Sequence, residues 1–231
     1  FKQKTAYEIR NCDWSSDVCS SDLLASQSPA RRQLMRAAGI QPEILVSHVD
    51  ERDIEQSLPN VTPKDLVQVL ARAKAEAVAA RLEGKALVIG CDSVFEVDGV
   101  AYGKPETVDV ARDRWSSLMG KIGHLHTGHH VIDTADGRAV SATSSTDVRL
   151  GLLSPQEQDD YLRSGEPLNV AGGFTLDGLG AAFVEEIVGD PSTVIGLSLP
   201  TLRRLLGELG VPWTSLWSTP MAPQHTSTSA R

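Results

Sequence analysis

The pattern of apolar and polar positions predicts alternating strands and helices along most of the chain. Ala86-Leu87-Val88-Ile89 is a short, β-branched apolar run that is typical of a buried strand. Residues 94–100 alternate around Asp98-Gly99, a dipeptide that favours a two-residue hairpin turn. Residues 122–132 and 138–150 predict a second hairpin. The chain is therefore expected to fold as an α/β protein.

Two predicted helices carry candidate site residues. Pro29, directly after the potential cap Ser28, opens a helix that is expected to end at Gly39. Residues 63–82 predict a longer helix. Its inward stripe is predicted to consist of Leu66, Leu70, Ala73, Ala77 and Ala80. Lys74 lies at the edge of this stripe, where a lysine usually extends its amine to water.

The two ends of the chain differ from its middle. Residues 1–23 show no periodicity and resemble the translation of a sequencing-library adapter, so we expect this segment to be an artefact outside the fold. Leu23-Leu24-Ala25 then reads as the end of a first strand whose beginning that segment replaces. The C-terminal residues 213–231 are rich in Ser, Thr and Pro, which predicts a disordered tail. One domain is expected over residues 24–212.

Composition argues against several classes of protein. The formal charge of −8 argues against binding a nucleic-acid backbone, and no apolar run approaches the roughly 20 residues of a membrane span. Two of the three cysteines, Cys12 and Cys19, lie in the adapter-like segment, which leaves Cys91. A single cysteine without a secretion signal is typical of a reducing cytoplasm. We therefore expect a cytoplasmic protein that binds neither nucleic acid nor membrane.

One acidic and one basic residue flank the first predicted hairpin. Asp92 follows the apolar run, which places its carboxylate at a predicted strand end, and the hairpin returns Lys104 toward the same end. Binding and catalytic residues often lie at strand ends, because the loops there extend from a rigid sheet and reach a ligand. The simpler interpretation is a turn-capping aspartate and a surface lysine, and the pattern alone does not choose between the two.

The start of the first predicted helix is a candidate phosphate site. Free N–H groups at a helix N-terminus bind anions, and the Ser26 and Ser28 hydroxyls and the Arg31 and Arg32 side chains lie nearby in sequence. The alternative is an ordinary capped helix with surface arginines. Both interpretations stay open at this point.

Histidines cluster in the first strand of the second hairpin and raise the question of zinc. His124, His126 and His130 share one face of a strand, whereas His129 lies on the other. No Asp or Glu lies close enough in sequence to complete a familiar zinc-hydrolase set. Histidines that form hydrogen bonds within the sheet are therefore the favoured interpretation.

Eight short motifs occur in order along residues 24–210. The amino-terminal half contains LASQSP from Leu24, VDE ending at Glu51, ARAKA around Lys74, DSV from Asp92 and GKP around Lys104. The carboxyl half contains GEPL from Gly165, AGGF from Ala171 and VIGL from Val194. None of these motifs is specific alone. In this order and spacing they resemble the Maf family of nucleoside triphosphate pyrophosphatases.

This resemblance implies a fold and a reaction. The fold is a Maf/ITPase-like α/β fold, a mixed, twisted central β-sheet wrapped by helices, with a cleft between two lobes. The reaction is hydrolysis of a nucleoside triphosphate between its α- and β-phosphates, which releases a nucleoside monophosphate and pyrophosphate. The resemblance further implies a role in clearing noncanonical or modified nucleotides, and a homodimer is the family expectation.

The same resemblance implies the roles of individual residues. Asp92 is expected to act as the catalytic base, and Glu51 and Asp92 to bind Mg²⁺ or Mn²⁺, hard cations that prefer oxygen ligands. Cations and hydroxyl groups would hold the nucleotide and the leaving pyrophosphate. These substrate-binding residues are expected to be Ser26, Ser28, Arg31, Arg32, Lys74, Ser93, Lys104 and Asp177.

Three positions depart from the family pattern. Ala30 stands where a first arginine is usual, Ser93 where threonine is common, and Asp177 where many members carry glutamine. The family associates these positions with base choice, so the preferred base stays open. Ala30 also favours an alternative function, a nucleotide-binding regulator of septum formation with little hydrolysis. Asp92 and Lys104 favour the enzyme, since a binding protein needs no base beside the phosphates.

Overall fold

The computed structural model describes residues 21–218, which form one seven-stranded mixed sheet flanked by helices. The strands are β1 (Ser21–Leu24), β2 (Glu43–Ile44), β3 (Ala86–Val97), β4 (Val100–Tyr102), β5 (Ile122–Asp133), β6 (Ala139–Leu150) and β7 (Val184–Val188). The α-helices are α1 (Pro29–Ala37), α2 (Glu51–Ser57), α3 (Pro63–Ala79), α4 (Val108–Leu118), α5 (Pro155–Arg163), α6 (Pro191–Ile195) and α7 (Leu199–Glu208). Short 3₁₀ helices occupy Glu166–Asn169, Ala171–Gly173, Leu179–Phe183 and Trp213–Leu216.

The sheet combines parallel and antiparallel pairing. Its strand order is β2-β1-β3-β5-β6-β7, and β4 also pairs with β3. β1 is parallel to β2 and β3, whereas all other pairs are antiparallel. The mixed α/β sheet expected from the sequence is thereby confirmed. Within residues 21–218, every helix is too short or too polar to cross a bilayer.

One edge of β3 is only partly paired. On its other edge, residues 87–96 pair with β5 without interruption. On the partly paired edge, β1 pairs with residues 86–89 and β4 pairs with residues 95–97. Residues 90–94 therefore have no strand partner on that edge in the described part of the chain. We call this stretch, which lies between β1 and β4 on that edge, the β3 gap.

Asp92 lies inside β3 and not at a strand end, which corrects the prediction from the apolar run. The pattern breaks at Gly90 because of packing and not because the strand ends. A Cβ atom at Gly90 would lie 2.1 Å from the Ala71 carbonyl oxygen of α3. Glycine at this position therefore makes room for a helix, and the backbone stays extended.

The buried stripe of α3 also differs from the predicted one. It consists of Val67, Leu70, Ala71, Lys74, Ala75 and Val78, so only Leu70 is shared. In an alanine-rich helix several rotations bury similar apolar area, and the glycine in β3 selects the one in which Ala71 and Ala75 face the sheet. Lys74 consequently lies within the buried stripe and not at its edge.

The first strand begins earlier than the sequence indicated. Ser21, Asp22 and Leu23 pair with residues 86–88 of β3, although they were assigned to the excluded segment 1–23. Strand pairing uses main-chain groups, so it depends little on the identity of the side chains in this segment. The remaining residues of that segment, 1–20, lie outside the described part of the chain.

The C-terminal boundary also moves relative to the prediction of a tail from residue 213. Trp213 and Leu216 pack against the core formed by α1, α7 and the central strands. Ser218 donates hydrogen bonds of 2.7 Å to the Gly39 carbonyl from both its main-chain N–H and its hydroxyl. These contacts make residues 213–218 part of the fold. Residues 219–231 lie outside the described range.

Asp22 is expected to destabilise the folded protein at neutral pH. Burial first, and the nearby Glu43 second, raise the pKa of Asp22 from 3.8 to about 6. The folded state thus binds this proton more tightly than the unfolded state does. The stability that protonation contributes is complete below about pH 4 and is lost as the pH rises to about 6. Asp22→Asn should therefore raise the free energy of unfolding by about 2–3 kcal/mol at pH 8.

Urea unfolding of the wild type and Asp22→Asn at pH 8 and pH 4 measures this effect. The difference between the two proteins should be small at pH 4, where Asp22 is protonated in the folded state and close to half-protonated in the unfolded state. Glu83→Gln, at an exposed position, serves as the matched control and should change little at either pH. An Asp22→Asn effect of equal size at both pH values would contradict the assignment.

Candidate active site

Lys74 joins two carboxylates beside the β3 gap. Its Nζ atom lies 2.5 Å from Asp92 Oδ1 on β3 and 2.8 Å from Glu51 Oε1 on α2. The Lys74 and Asp92 side chains are 9% and 13% exposed, whereas Glu51 is 48% exposed and opens to solvent. The structure therefore brings together three residues that sequence reasoning named separately. We call these three residues the Lys74 cluster.

Close helix packing positions the Lys74 cluster. Asp92 pairs with Gly128 of β5, and a Cβ atom at Gly128 would lie 2.2 Å from the Val67 carbonyl oxygen. Together with Gly90, this glycine lets α3 lie directly on the strands. Glu51 is the first residue of α2, behind the N-cap Asp50, whose side chain accepts the Asp53 N–H.

The Lys74 cluster leaves defined groups for a ligand. Of the three N–H donors of the Lys74 ammonium, one donates to Asp92 Oδ1, and the contact with Glu51 Oε1 is an ion pair. The ammonium therefore retains a donor for a phosphate oxygen. Asp92 Oδ2 and Glu51 Oε2 form no hydrogen bond with any residue in the range 21–218. The cluster therefore offers one cationic donor and two carboxylate oxygens.

Arg31 lies on the other face of β3 and binds four groups of the protein. Its Nε donates to Gly196 O at 2.5 Å, one terminal nitrogen donates to Ser26 Oγ at 3.1 Å and Cys91 O at 2.9 Å, and the other donates to Ser93 Oγ at 2.9 Å. Four of the five N–H donors of the guanidinium are thus occupied. Arg31 is 8% exposed and retains one donor, so it anchors the site more than it clamps a ligand.

The two serines before α1 have different roles. Ser28 is the N-cap, and its hydroxyl accepts the Arg31 N–H. Ser26 Oγ accepts both the Ser28 N–H at 3.2 Å and a guanidinium N–H of Arg31. Both lone pairs of the Ser26 oxygen are therefore used, and only its O–H is left to donate. This polarity suits a phosphate oxygen, which accepts hydrogen bonds.

Main-chain groups also face the β3 gap. Ile89 O accepts the Ala25 N–H at 2.9 Å on this edge of β3. Because the hydrogen-bonding direction alternates along a strand, the N–H and C=O groups of Cys91 and Ser93 point to the same edge. Arg31 occupies Cys91 O. The other main-chain groups of these two residues are positioned to meet a ligand in the gap.

Three predicted substrate residues lie apart from these contacts. Arg32, Lys104 and Asp177 are exposed, and their side chains form no hydrogen bond or ion pair with residues 21–218. The segment that carries Lys104 is held beside α2 by an exposed ion pair of 3.2 Å between Arg52 and Glu106. The roles of Arg32, Lys104 and Asp177 therefore stay predictions.

Comparison with known sequences decides the family. Residues 23–209 match a family model described as Maf-like protein. The chain belongs to the Maf family. A relative from Streptomyces avermitilis named nucleoside triphosphate pyrophosphatase is 54% identical over 197 residues, which covers 85% of this chain and 94% of the relative. A relative of the same name from Thermosynechococcus vestitus is 52% identical over 188 residues, covering 81% and 93%.

Among solved structures, the Staphylococcus aureus Ham1 protein resembles this Maf protein weakly. The structural alignment covers 84% of this chain and 92% of the Ham1 chain, with 11% sequence identity and a TM-score of 0.39. A score this low supports no argument about the present chain. Family membership therefore rests on sequence, and it confirms the resemblance indicated by the motifs.

The resemblance to Maf enzymes implies Mg²⁺ or Mn²⁺, and the donor set of the Lys74 cluster fits such an ion. Its free carboxylate oxygens are the hard ligands that both ions prefer. Burial, followed by the charges of Asp92 and Glu51, raises the pKa of Glu55, so negative charge is in excess here. No group of three or more His, Cys, Asp or Glu side chains within residues 21–218 is arranged to hold a metal alone. Phosphate oxygens would complete the coordination.

Sequence reasoning missed Glu55 and Thr127. Glu55 follows Glu51 by four residues, the spacing that places two side chains on one face of a helix, so this signal was present in the sequence. Thr127 is fully buried and lies opposite Ser93 in the sheet. A threonine in a strand is common, so its contact with Ser93 has no sequence signal.

The histidines of this Maf protein form hydrogen bonds across the sheet, as favoured over zinc binding. The Nδ1 atoms of three of them contact side chains of β6 at 2.6–2.7 Å. These pairs are His124 with Asp147, His126 with Ser145, and His130 with Ser141. His126 Nε2 also lies 3.1 Å from Glu96 Oε2. Each histidine therefore has a partner that explains its position.

Two further buried groups have structural roles. His129 Nε2 accepts the Ser198 N–H at 2.8 Å, and burial, then the nearby Arg31, lowers the pKa of His129 to about 4. The ring is thus neutral and supports the start of α7. Burial also raises the pKa of the Cys91 thiol to about 11, so the thiol stays protonated at neutral pH.

Gly90→Ala tests the close approach that positions Lys74. The new methyl group would meet a main-chain oxygen, which cannot move unless α3 shifts. We expect the free energy of unfolding to fall by about 3 kcal/mol, measured by urea denaturation. Gly84→Ala is the matched control, since nothing lies within 4 Å of its added methyl group. Equal stability of the two variants would show that α3 tolerates displacement.

Proposed function

We propose that this Maf protein hydrolyses nucleoside triphosphates between the α- and β-phosphates, releasing a nucleoside monophosphate and pyrophosphate. The observation that carries the proposal is the contact of Lys74 with both Asp92 and Glu51 at the β3 gap. This contact brings an ammonium and two carboxylates together, and Arg31 lies on the opposite face of the same strand. Relatives named for this activity, aligned over most of both chains, support the proposal.

The residues of the site have separate tasks in this reaction. A water oxygen attacks the α-phosphorus and loses a proton, the bond to the bridging oxygen breaks, and pyrophosphate leaves. Asp92 accepts the proton through its unbound Oδ2. The remaining N–H donors of Lys74 and Arg31 and the hydroxyl of Ser26 bind phosphate oxygens. Lys104, an exposed residue after β4, would add positive charge.

Glu51 and Asp92 would hold the divalent ion. When bound there, Mg²⁺ or Mn²⁺ would reduce the negative charge on the phosphate oxygens that repels a nucleophile. Lys74 occupies one oxygen of each carboxylate, so Glu51 Oε2 and one lone pair of Asp92 Oδ2 would face the ion, while the second lone pair of Oδ2 would accept the proton. Ser28 contributes by shaping the start of α1, and Arg32 and Asp177 would contact the nucleotide from exposed positions.

We further propose clearance of noncanonical or modified nucleotides as the biological role, with cytoplasmic location and a homodimer as predictions from sequence. One observation favours the alternative of a nucleotide-binding regulator of septum formation. Four of the five Arg31 donors bind the protein, and Ala30 supplies no further cation. Both features weaken the phosphate clamp, and measurements of turnover separate the two functions.

Asp92→Asn should lower kcat for pyrophosphate release on the order of a hundredfold or more, because an amide cannot accept the proton. The measurement is pyrophosphate release over a panel of natural and modified nucleoside triphosphates with Mg²⁺ or Mn²⁺. Glu83→Gln, at an exposed position outside the site, should retain wild-type turnover.

Two results would contradict the catalytic assignment. Unchanged kcat in Asp92→Asn would remove Asp92 as the base. Nucleotide binding by wild-type protein in calorimetry, without pyrophosphate release from any member of the panel, would instead favour the septum regulator.

Glu51→Gln should weaken metal binding while retaining the fold, because Glu51 is largely exposed. Calorimetric titration of Mn²⁺ in the presence of a nonhydrolysable triphosphate should show a dissociation constant raised about tenfold or more. Glu208→Gln, on α7, is the control and should bind as the wild type does. Equal affinity in all three proteins would place the metal site elsewhere.

A further inference from the structure

An ion pair joins two chain segments that belong to different sides of the β3 gap. Arg52, on α2, donates to both carboxylate oxygens of Glu106 at 3.2 Å. Helix α2 follows β2, which pairs with β1 on one side of the gap, whereas Glu106 follows β4 on the other side. Between described residues, no other hydrogen bond or ion pair joins α2 to the segment 103–106. We call this contact the Arg52–Glu106 bridge.

Contacts of its main chain fix the segment 103–106 on the side away from α2. Arg114, on α4, donates to the Gly103 carbonyl at 2.8 Å, and the Glu106 N–H donates to the Leu168 carbonyl at 3.0 Å. Glu106 has a φ of 66°, a left-handed conformation that is uncommon for a residue with a Cβ atom. The Glu106 carboxylate therefore extends toward α2 from a well-anchored stretch of main chain.

The Arg52–Glu106 bridge lies next in sequence to two residues of the candidate site. Glu51 directly precedes Arg52 and contacts Lys74 at 2.8 Å, and Lys104 lies two residues before Glu106. The Lys104 side chain is exposed and forms no hydrogen bond or ion pair within residues 21–218. Its position relative to Glu51 therefore depends on the segment 103–106 and on the bridge that joins this segment to α2.

The exposure of the bridge determines how strongly it acts. The Arg52 and Glu106 side chains are 76% and 63% exposed. An exposed ion pair contributes little free energy, and salt weakens it. Little free energy is therefore needed to separate the two segments when a large anion enters, and the pair forms again afterwards. A contact of this kind orders the segments without closing the site permanently.

We propose that Arg52 and Glu106 are positioning residues for triphosphate binding, because their bridge fixes the segment that carries Lys104 relative to the helix that carries Glu51. The proposal rests on the proposed function and deepens it by adding two residues that act without touching the substrate. The bridge acts on binding more than on the chemical step, since Asp92 lies on β3, outside the two segments that it joins.

The direction of one effect separates this role from a general effect of charge. Glu106→Gln removes a negative charge near a highly negative substrate, which by long-range electrostatics alone would lower KM. Loss of the bridge instead raises KM. We expect KM for the best triphosphate of the panel to rise about threefold to fivefold, with kcat within about twofold of the wild type. Asp109→Asn, an exposed position on α4, removes the same charge as a matched control and should not raise KM.

Exchange of the two charges tests whether the two residues act together. Arg52→Glu places two carboxylates opposite each other and should raise KM about fivefold or more. The double variant Arg52→Glu/Glu106→Arg restores an opposite-charge pair with the net charge of the wild type. Its KM should return to within about twofold of the wild-type value. Potassium chloride at about 1 M should reduce the differences among the variants, because salt screens exposed charges.

Two outcomes would overturn the inference. One is a KM for Glu106→Gln that equals or falls below that of the wild type. The other is a KM that stays raised in the double variant, which would give Arg52 a direct contact with the substrate instead. Urea denaturation checks the fold of each variant, and these exposed substitutions are expected to change the free energy of unfolding little.

Binding measurements separate this inference from the proposed function. Calorimetry with the α,β-methylene form of the same triphosphate gives dissociation constants that need no turnover. The same order of the variants in binding, without pyrophosphate release from hydrolysable substrates, would remove the enzyme and retain the bridge. Turnover by the wild type, with no effect of Glu106→Gln on KM or on the dissociation constant, would retain the enzyme and remove the bridge. Absence of binding to every nucleotide would remove both.

Discussion

Helix α3 lies directly on the backbone of β3 and β5, and the candidate site depends on this close approach. At Gly90 and Gly128 there is no room for a side chain between the strand and main-chain atoms of α3. Lys74 is carried into a largely buried position, where it meets the carboxylate of Asp92. A buried lysine without a partner would be costly, so helix position and ion pair support each other. The two glycines are as much part of the site as the charged groups are.

Much of the fold could be predicted because its signals are local. Hairpin turns and helix caps are determined by neighbouring residues, and the Ser28 cap and the Asp98-Gly99 turn lie where the sequence placed them. The rotation of α3 could not be predicted in the same way, because alanines occupy several faces of that helix. Its rotation depends on Gly90, a residue outside the helix. The periodicity of apolar residues within α3 therefore does not indicate which face packs on the sheet.

The residues of the candidate site were named from the sequence, but the contacts between them were not. The motifs named Arg31 and Ser93, and the structure brings them into contact. How many donors Arg31 has left, and which way the Ser93 hydroxyl points, depend on partners from distant segments, such as Thr127 and Gly196. The number of free donors and acceptors on a side chain depends on all of its neighbours in space, and the sequence alone does not identify these neighbours.

The β3 gap has a consequence for how this protein responds to substitution. Between β1 and β4, the main-chain N–H groups of Cys91 and Ser93 face the position proposed for the ligand, as the N–H groups of a sheet edge do when a peptide adds to it. Replacing a side chain leaves these groups in place. In the proposed reaction, part of the affinity for the triphosphate would therefore come from the main chain, and substitutions of the surrounding side chains would change the choice of nucleotide more readily than binding itself.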